Sequence, residues 1–138
     1  MDAKEYLNSV KMLDLQIKNK LIERQLWRDI ALGITANMDG ERVQSSGSKS
    51  KMSNAVDKLV DMEDEINSLV DRLIDAKKDV IKTIEQLKSP LQYDVLHMHY
   101  IQFLSFQEIA DKYGCSYDSV KQAHKRAVRN VRSIRQNK

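Results

Sequence analysis

Glycine and proline, the residues that most often interrupt helices, are scarce in this sequence. The 138 residues include four glycines and a single proline, Pro90, which together are about a third of their share in average globular proteins. Such scarcity argues against a turn-rich β-sandwich and against an enzyme that binds phosphate in a glycine-rich loop. We therefore predict an all-α fold. Pro90 marks a boundary because proline is tolerated in a first helical turn but not inside a helix.

Two long amphipathic helices are predicted before Pro90. The first spans about residues 2–32, where apolar side chains recur at helical spacing. The second is predicted to begin near Ser53, a good N-cap residue, and to run to about Lys88. Its apolar residues alternate steps of three and four, the spacing of a coiled coil, with Glu63 and Lys77 as interruptions.

A long loop is predicted between these two helices. Residues 33–53 contain three glycines and five serines and show no apolar periodicity. Two long helices joined by one loop favour a long antiparallel helical hairpin, coiled-coil-like, over residues 1–88. The apolar stripe of the second helix is wider than one partner helix covers. We therefore expect the hairpin to form a homo-oligomer, a dimer, or to bind a partner.

A small trihelical domain with a helix-turn-helix is predicted over residues 89–138. Its first helix is expected at 90–102. Ser105, with a glutamate three residues later, forms a capping box for a second helix, which Gly114 ends. The third helix begins at Ser116 after a three-residue turn, and this arrangement is typical of a helix-turn-helix.

The third helix, residues 116–134, is predicted to be a recognition helix that enters the major groove of DNA. At 100° per residue its small and aliphatic side chains fall within about 80° of arc and pack inward. These inward residues are Val120, Ala123, Ala127, Val131 and Ile134. The opposite face holds hydrogen-bond donors and one acid, as contacts to phosphates and base edges require. These outward residues are Asp118, Lys121, Gln122, Lys125, Arg129 and Arg132.

Positive charge is concentrated at the same end of the chain. Residues 1–88 hold 15 basic and 16 acidic residues, whereas residues 89–138 hold eight and four. Within residues 119–138 there are seven basic residues and no acid. A basic end of this kind indicates a polyanionic partner, double-stranded DNA above all.

The stretch LQYDVLHMHYIQFLSFQEIADKYGCSYDSVKQAHKRAVRNVR resembles the fourth conserved region of bacterial housekeeping sigma factors, which reads the upstream promoter element. This resemblance implies base-reading roles at Tyr117, Asp118, Lys121 and Gln122. It implies phosphate contacts at Ser105, Lys125, Arg126 and Arg129, to which the outward position of Arg132 adds a fifth. Arginine is common in that family where Tyr117 and Lys121 stand here. Because lysine cannot make the bidentate guanine contact of arginine, we expect a different promoter sequence to be read.

The whole chain also resembles late-gene transcriptional regulators of phages and prophages (RinA/ArpU-like). In these a helical N-terminal part precedes a sigma-like helix-turn-helix. The stretch ERVQSSGSKSKMSNAVDKLVDME carries the weaker, N-terminal part of this resemblance. It implies control of phage or prophage genes through double-stranded DNA, and RNA polymerase as a second partner.

Two other functions fit the same sequence. The small subunit of a phage terminase, a DNA-packaging protein, also joins a helix-turn-helix to helical assembly elements. Those proteins usually place the DNA-binding domain first, whereas it is last here. The third hypothesis is an interaction protein whose hairpin binds a polymerase or sigma subunit and which needs no DNA of its own.

No catalytic or metal-binding constellation is visible in the sequence. His97 and His99 would point about 200° apart on a helix, so they cannot share a metal. Cys115 is the only cysteine, which excludes a disulfide framework and a thiolate zinc site. We expect no cofactor and no enzymatic activity. The N-terminus lacks the apolar core of a signal peptide and no apolar run approaches 18 residues, so we expect a cytoplasmic protein of a bacterial cell without membrane contact.

Overall fold

The computed structural model describes residues 1–33 and 46–137. Most of them are helical. The α-helices are α1 (Ala3–Ala31), α2 (Ser46–Ile84), α3 (Pro90–Leu96), α4 (Phe106–Tyr113) and α5 (Tyr117–Gln136), and a π-helical turn, His97–Ile101, follows α3. The described ranges contain no β-strand. The predicted all-α fold, in which two long helices precede a small helix-turn-helix domain, is confirmed.

The ends of α2 differ from the prediction. The helix begins at Ser46 instead of Ser53 and ends at Ile84 instead of Lys88. Ser53 is an exposed residue inside the helix. The helix can continue through it because a single serine in a helix interior costs well under about 1 kcal/mol. The predicted loop at 33–53 is therefore wrong from Ser46 onward. The rest of that loop, residues 34–45, lies outside the described residues.

The chain divides into two compact units. The terminal unit comprises Met1–Asp14 and Arg72–Lys138, and the central unit comprises Leu15–Asp71. Both α1 and α2 contribute residues to each unit. The terminal unit therefore combines residues from both sides of the boundary predicted at Ser89. No helix in the described ranges is long and apolar enough to span a bilayer.

Two buried apolar clusters form the core of the terminal unit. The first joins the start of α1 and the end of α2 to the π-helical turn and α5. Its members include Ala3, Leu7, Val10, Val80, Ile84, Tyr100, Ala127 and Val131. The second cluster lies within the helix-turn-helix and contains Val95, Ile109, Ala110, Val120 and Ala123. The inward face predicted for α5 is buried as expected, except that Ile134 is only half-buried.

A hydrogen-bonded group links α1 to α2 in the terminal unit. The hydroxyl of Tyr6 donates to Oδ2 of Asp79 at 2.5 Å and lies 2.8 Å from Oγ1 of Thr83. Burial, followed by the hydrogen bond to Asp79, raises the pKa of Tyr6 to about 12. Thr83 is a buried polar residue, and its hydroxyl also donates to the carbonyl oxygen of Asp79. The start of α1 is therefore held in a defined place.

The described part of the central unit contains an antiparallel pair of helical segments. Lys20 and Arg24 of α1 pair with Glu65 and Glu63 of α2, at 3.0 and 2.7 Å respectively. As the residue number rises along α1, the residue number of the paired side chain in α2 falls, so the two segments run antiparallel. Glu63, an interruption of the predicted apolar seam, is thus used in an ion pair.

The helix predicted at 90–102 is α-helical only as far as Leu96. The next turn, His97–Ile101, is π-helical, and the amide of Gln102 donates to the carbonyl of His97 at 3.1 Å. Phe103 then adopts a φ of 62°, a left-handed conformation that costs about 1–2 kcal/mol for a residue with a side chain. Its ring packs against the first core cluster, and the ammonium of Lys77 lies 5.5 Å from the ring centroid. This change of direction leads the chain into α4.

Candidate nucleic-acid interface

The start of α4 is fixed by the predicted capping box. Ser105 Oγ accepts a hydrogen bond from the amide of Glu108 at 3.1 Å, and Glu108 Oε1 accepts one from the amide of Ser105 at 3.1 Å. These hydrogen bonds lower the pKa of the Glu108 carboxyl. The box satisfies amide groups that the first turn of a helix leaves unpaired.

The turn between α4 and α5 is short and closely defined. Gly114 adopts the left-handed conformation, with φ 73° and ψ 35°, which glycine takes without steric cost. The amides of Gly114 and Cys115 both donate to the carbonyl of Ala110, at 3.0 and 3.1 Å. Ser116 then caps α5 by accepting from the amide of Ser119 at 3.1 Å. Hydrogen bonds within the turn therefore help to set the direction in which α5 leaves α4.

Polar side chains tie α3 to the other two helices. Asn130 of α5 donates from Nδ2 to Oε1 of Gln92 in α3 at 2.8 Å. Tyr113 of α4 donates to Oδ2 of Asp94 in α3 at 2.9 Å, and this hydrogen bond raises the pKa of the Tyr113 phenol. Together with the second core cluster, these contacts pack the three helices into one support for the exposed face of α5.

An aromatic group with two histidines packs along one side of α5. Nε2 of His124 lies 2.6 Å from the hydroxyl of Tyr100, and Nδ1 of His99 lies 2.8 Å from the carbonyl of Leu104. The ring of Phe106 contacts both histidines, with centroid distances of 4.6 and 4.9 Å. Burial, and then repulsion from His99 and Lys4, lowers the pKa of His124 to about 4. Burial also lowers the pKa of His99, so the site favours the neutral form of both rings.

The four predicted base-reading residues lie together at the start of α5. Tyr117, Asp118, Lys121 and Gln122 are all exposed within its first two turns. The ammonium of Lys121 lies 5.7 Å from the ring centroid of Tyr117, within the range of a cation–π contact. The start of α5 therefore presents an acceptor, an amide, an ammonium and an aromatic ring to solvent.

The predicted phosphate-binding residues are all exposed but lie in different places. Arg126 lines a cleft against the start of α3, beside Asp118 and Gln122. A second cleft, on the other side of α5, contains Lys125, Arg129 and Arg132. Ser105 lies at the start of α4 and already accepts the capping hydrogen bond. The structure thus separates Arg126 from Lys125, Arg129 and Arg132, the other three predicted phosphate-binding cations of α5.

Two basic residues have positions that the sequence pattern did not indicate. Arg135 belongs to the basic end, yet its guanidinium lies 4.0 Å from the ring centroid of Tyr6, and its Nη1 donates to the carbonyls of Met1 and Asp2. Lys4, in the first turn of α1, lines the second cleft together with the cations of α5. No local signal marks either residue, because contacts between the two ends of the chain place them.

Comparison with known families agrees with this geometry. Residues 89–133 match the family model of sigma-70, region 4, a span that begins at the N-cap of α3 and ends within α5. This third of the chain is a sigma-region-4-like helix-turn-helix domain, and a domain of that class indicates a DNA-binding regulator. The chain matches no curated protein and no solved structure.

In the described ranges no group of three or more histidine, cysteine or acidic side chains is arranged to hold a metal ion.

Proposed function

We propose that the protein is a sequence-specific transcriptional regulator of phage or prophage genes that acts on double-stranded DNA in the bacterial cytoplasm. The observation that supports this best is the agreement between the family match at 89–133 and the exposed face of α5. That face carries five donors and a single acid. The assignment to phage or prophage genes rests on the resemblance of the whole chain to late-gene regulators.

In the proposed complex α5 lies in the major groove with its first two turns against the base pairs. Gln122 pairs with an adenine edge, and Asp118 accepts from a cytosine amino group. Lys121 donates to guanine as a point charge, without the two-pronged contact of arginine. Ser105, Lys125, Arg126, Arg129 and Arg132 hold phosphates and set the register of the helix. The mechanism is one of binding, and we assign no catalytic step and no cofactor to it.

We also propose that the central unit forms a homodimer. Several of its large apolar side chains are exposed, among them Ile22 (63%), Leu26 (59%), Val56 (51%) and Val60 (60%). Apolar side chains repeated along exposed helix faces mark interaction surfaces. A dimer would bring two recognition helices to two half-sites of one operator. Contact with RNA polymerase belongs to the same proposal and rests on the family resemblance alone.

The test of this function is selection of preferred sites from a random DNA pool, followed by binding titrations of two variants. Lys121→Ala should cost about 1–3 kcal/mol on the selected site and relax the preference at one base pair. Arg129→Ala should weaken binding to all sequences alike and reduce the salt slope by about one.

Other outcomes would contradict the proposal in distinct ways. Equal losses for both variants on every sequence would remove the base-reading roles. Steep salt dependence without an enriched motif would favour DNA packaging or non-specific binding. A chain that binds polymerase but no DNA would leave the helical hairpin as the functional part.

A further inference from the structure

A basic cleft of about 360 Å³ lies in the terminal unit, between the first turn of α1 and the outer face of α5. It is lined by Lys4, His124, Lys125, Val128, Arg129 and Arg132. Four of these six residues are cations and none is acidic. The cations come from two helices that are far apart in sequence, so the cleft is a product of the tertiary fold.

The position of Lys4 beside α5 is fixed by its neighbours. Ala3 and Leu7 of α1 are buried in the same apolar cluster as Ala127 and Val131 of α5. Arg135 adds a second link, because it packs on Tyr6 and donates to two carbonyls at the start of α1. The backbone of Lys4 is therefore anchored on both sides, while its side chain is exposed.

The charges in the cleft are not neutralised by carboxylates in the described part of the chain. Among the described residues, no carboxylate forms an ion pair with Lys4, Lys125, Arg129 or Arg132. The charge of Lys4 acts on the cleft itself, since it is one cause, after burial and His99, of the low pKa of His124. Clustered cations without counter-charges attract and concentrate anions.

We propose that this cleft binds a phosphate of the DNA backbone, with Lys4 completing a site whose other cations come from α5. The inference rests on the proposed function and deepens it, because it makes the N-terminal helix part of the DNA-binding surface. Lys125, Arg129 and Arg132 share the outward face of α5 with the base-reading residues. A phosphate in the cleft therefore belongs to the strand that borders the groove in which α5 lies.

The experiment compares the salt dependence of DNA binding by the full chain and by Lys4→Ala, on the selected site and on a random duplex. The variant should bind both duplexes more weakly by the same factor, with a salt slope reduced by about 0.9. Lys4→Arg should keep the wild-type slope. Lys82→Ala is the matched control, since Lys82 is an exposed lysine of the same unit that does not line the cleft; it should behave as the wild type.

The failures of the two proposals are distinguishable. If the wild type shows no salt-sensitive DNA binding, the proposed function itself is wrong. If the wild type binds and Lys4→Ala keeps the same slope and affinity, the function stands and the site in the cleft is refuted. A loss of base preference in Lys4→Ala would show that Lys4 positions α5 instead of contacting phosphate. Thermal stabilisation by inorganic phosphate that needs Lys4, with an unchanged DNA slope, would identify a free anion as the ligand and overturn the proposal.

Discussion

At the scale of single residues, His124 takes part both in the packing of the helix-turn-helix domain and in the lining of its basic cleft. Its imidazole is hydrogen-bonded to Tyr100 and stacked among aromatic rings, yet it also lines the cleft that contains Lys4. Burial is the main reason why its pKa falls from 6.5 to about 4. The folded protein therefore favours the neutral ring over the charged one.

Acidification should destabilise the protein through His124. Because the pKa in the folded state is below the unfolded value, the unfolded chain takes up the proton first. The contribution of the neutral His124 ring to the free energy of unfolding is fully present above about pH 6.5. It declines as the pH falls toward 4, by at most about 1.4 kcal/mol per pH unit for one proton. Urea denaturation at about pH 7 and about pH 5 measures this decline.

The matched variant for this prediction is His124→Gln, which can still hydrogen-bond to Tyr100 but does not titrate. It should lose less stability than the wild type between the two pH values. An equal loss in both proteins would assign the pH dependence to other groups, among them His99, whose ring centroid lies 5.6 Å from that of His124.

At the scale of elements, the helix-turn-helix could be predicted from the sequence because its signals are local. The capping box at Ser105, the left-handed Gly114 and the N-cap at Ser116 each depend on residues within one helical turn. The inward face of α5 follows from periodicity for the same reason. The π-helical turn His97–Ile101 and the positive φ of Phe103 could not be predicted, because packing against the core selects them over a regular helix.

The cap of α5 gives a prediction at this scale. Ser116→Ala should lower the free energy of unfolding by about 1 kcal/mol, because the amide of Ser119 loses its acceptor at the helix start. Ser116→Asn should retain most of the stability, since asparagine caps equally well. Ser133→Ala, at an exposed position in the same helix, is the control and should stay within about 0.5 kcal/mol. If the alanine variants at both positions unfold at the same urea concentration as the wild type, the cap contributes nothing.

At the scale of the whole molecule, sequence patterns do not predict which helices meet, because these contacts join segments that are distant in the sequence. Periodicity placed Lys125, Arg129 and Arg132 on the exposed face of α5, and the structure agrees. Nothing in the sequence near Lys4 or Arg135 indicates that α1 and α5 meet, because the apolar cluster that joins them draws on both ends of the chain. The same limit applies to the base-reading and phosphate-binding roles, which stay predictions until DNA binding is measured.

The apolar surface of the central unit gives the last prediction. Replacing Ile22 and Val60 by glutamate should convert a dimer, seen by sedimentation at tens of micromolar, into a folded monomer. Glutamate favours a helix at least as well as isoleucine or valine, and both side chains are already mostly exposed. Unfolding is therefore not an alternative cause of dissociation, and unchanged helical circular dichroism would verify this.

Ser68→Glu is the control for that experiment, because it places one glutamate, half of the added charge, at an exposed polar position of α2 in the central unit. It should leave the dimer intact.

The dimer also has a consequence for DNA binding. The wild type should select a motif with two half-sites, and the double glutamate variant should select one half-site and bind it more weakly, because each recognition helix then acts alone. A wild-type chain that sediments as a monomer at tens of micromolar would refute the dimer, and a single half-site motif for that chain would be the expected companion result.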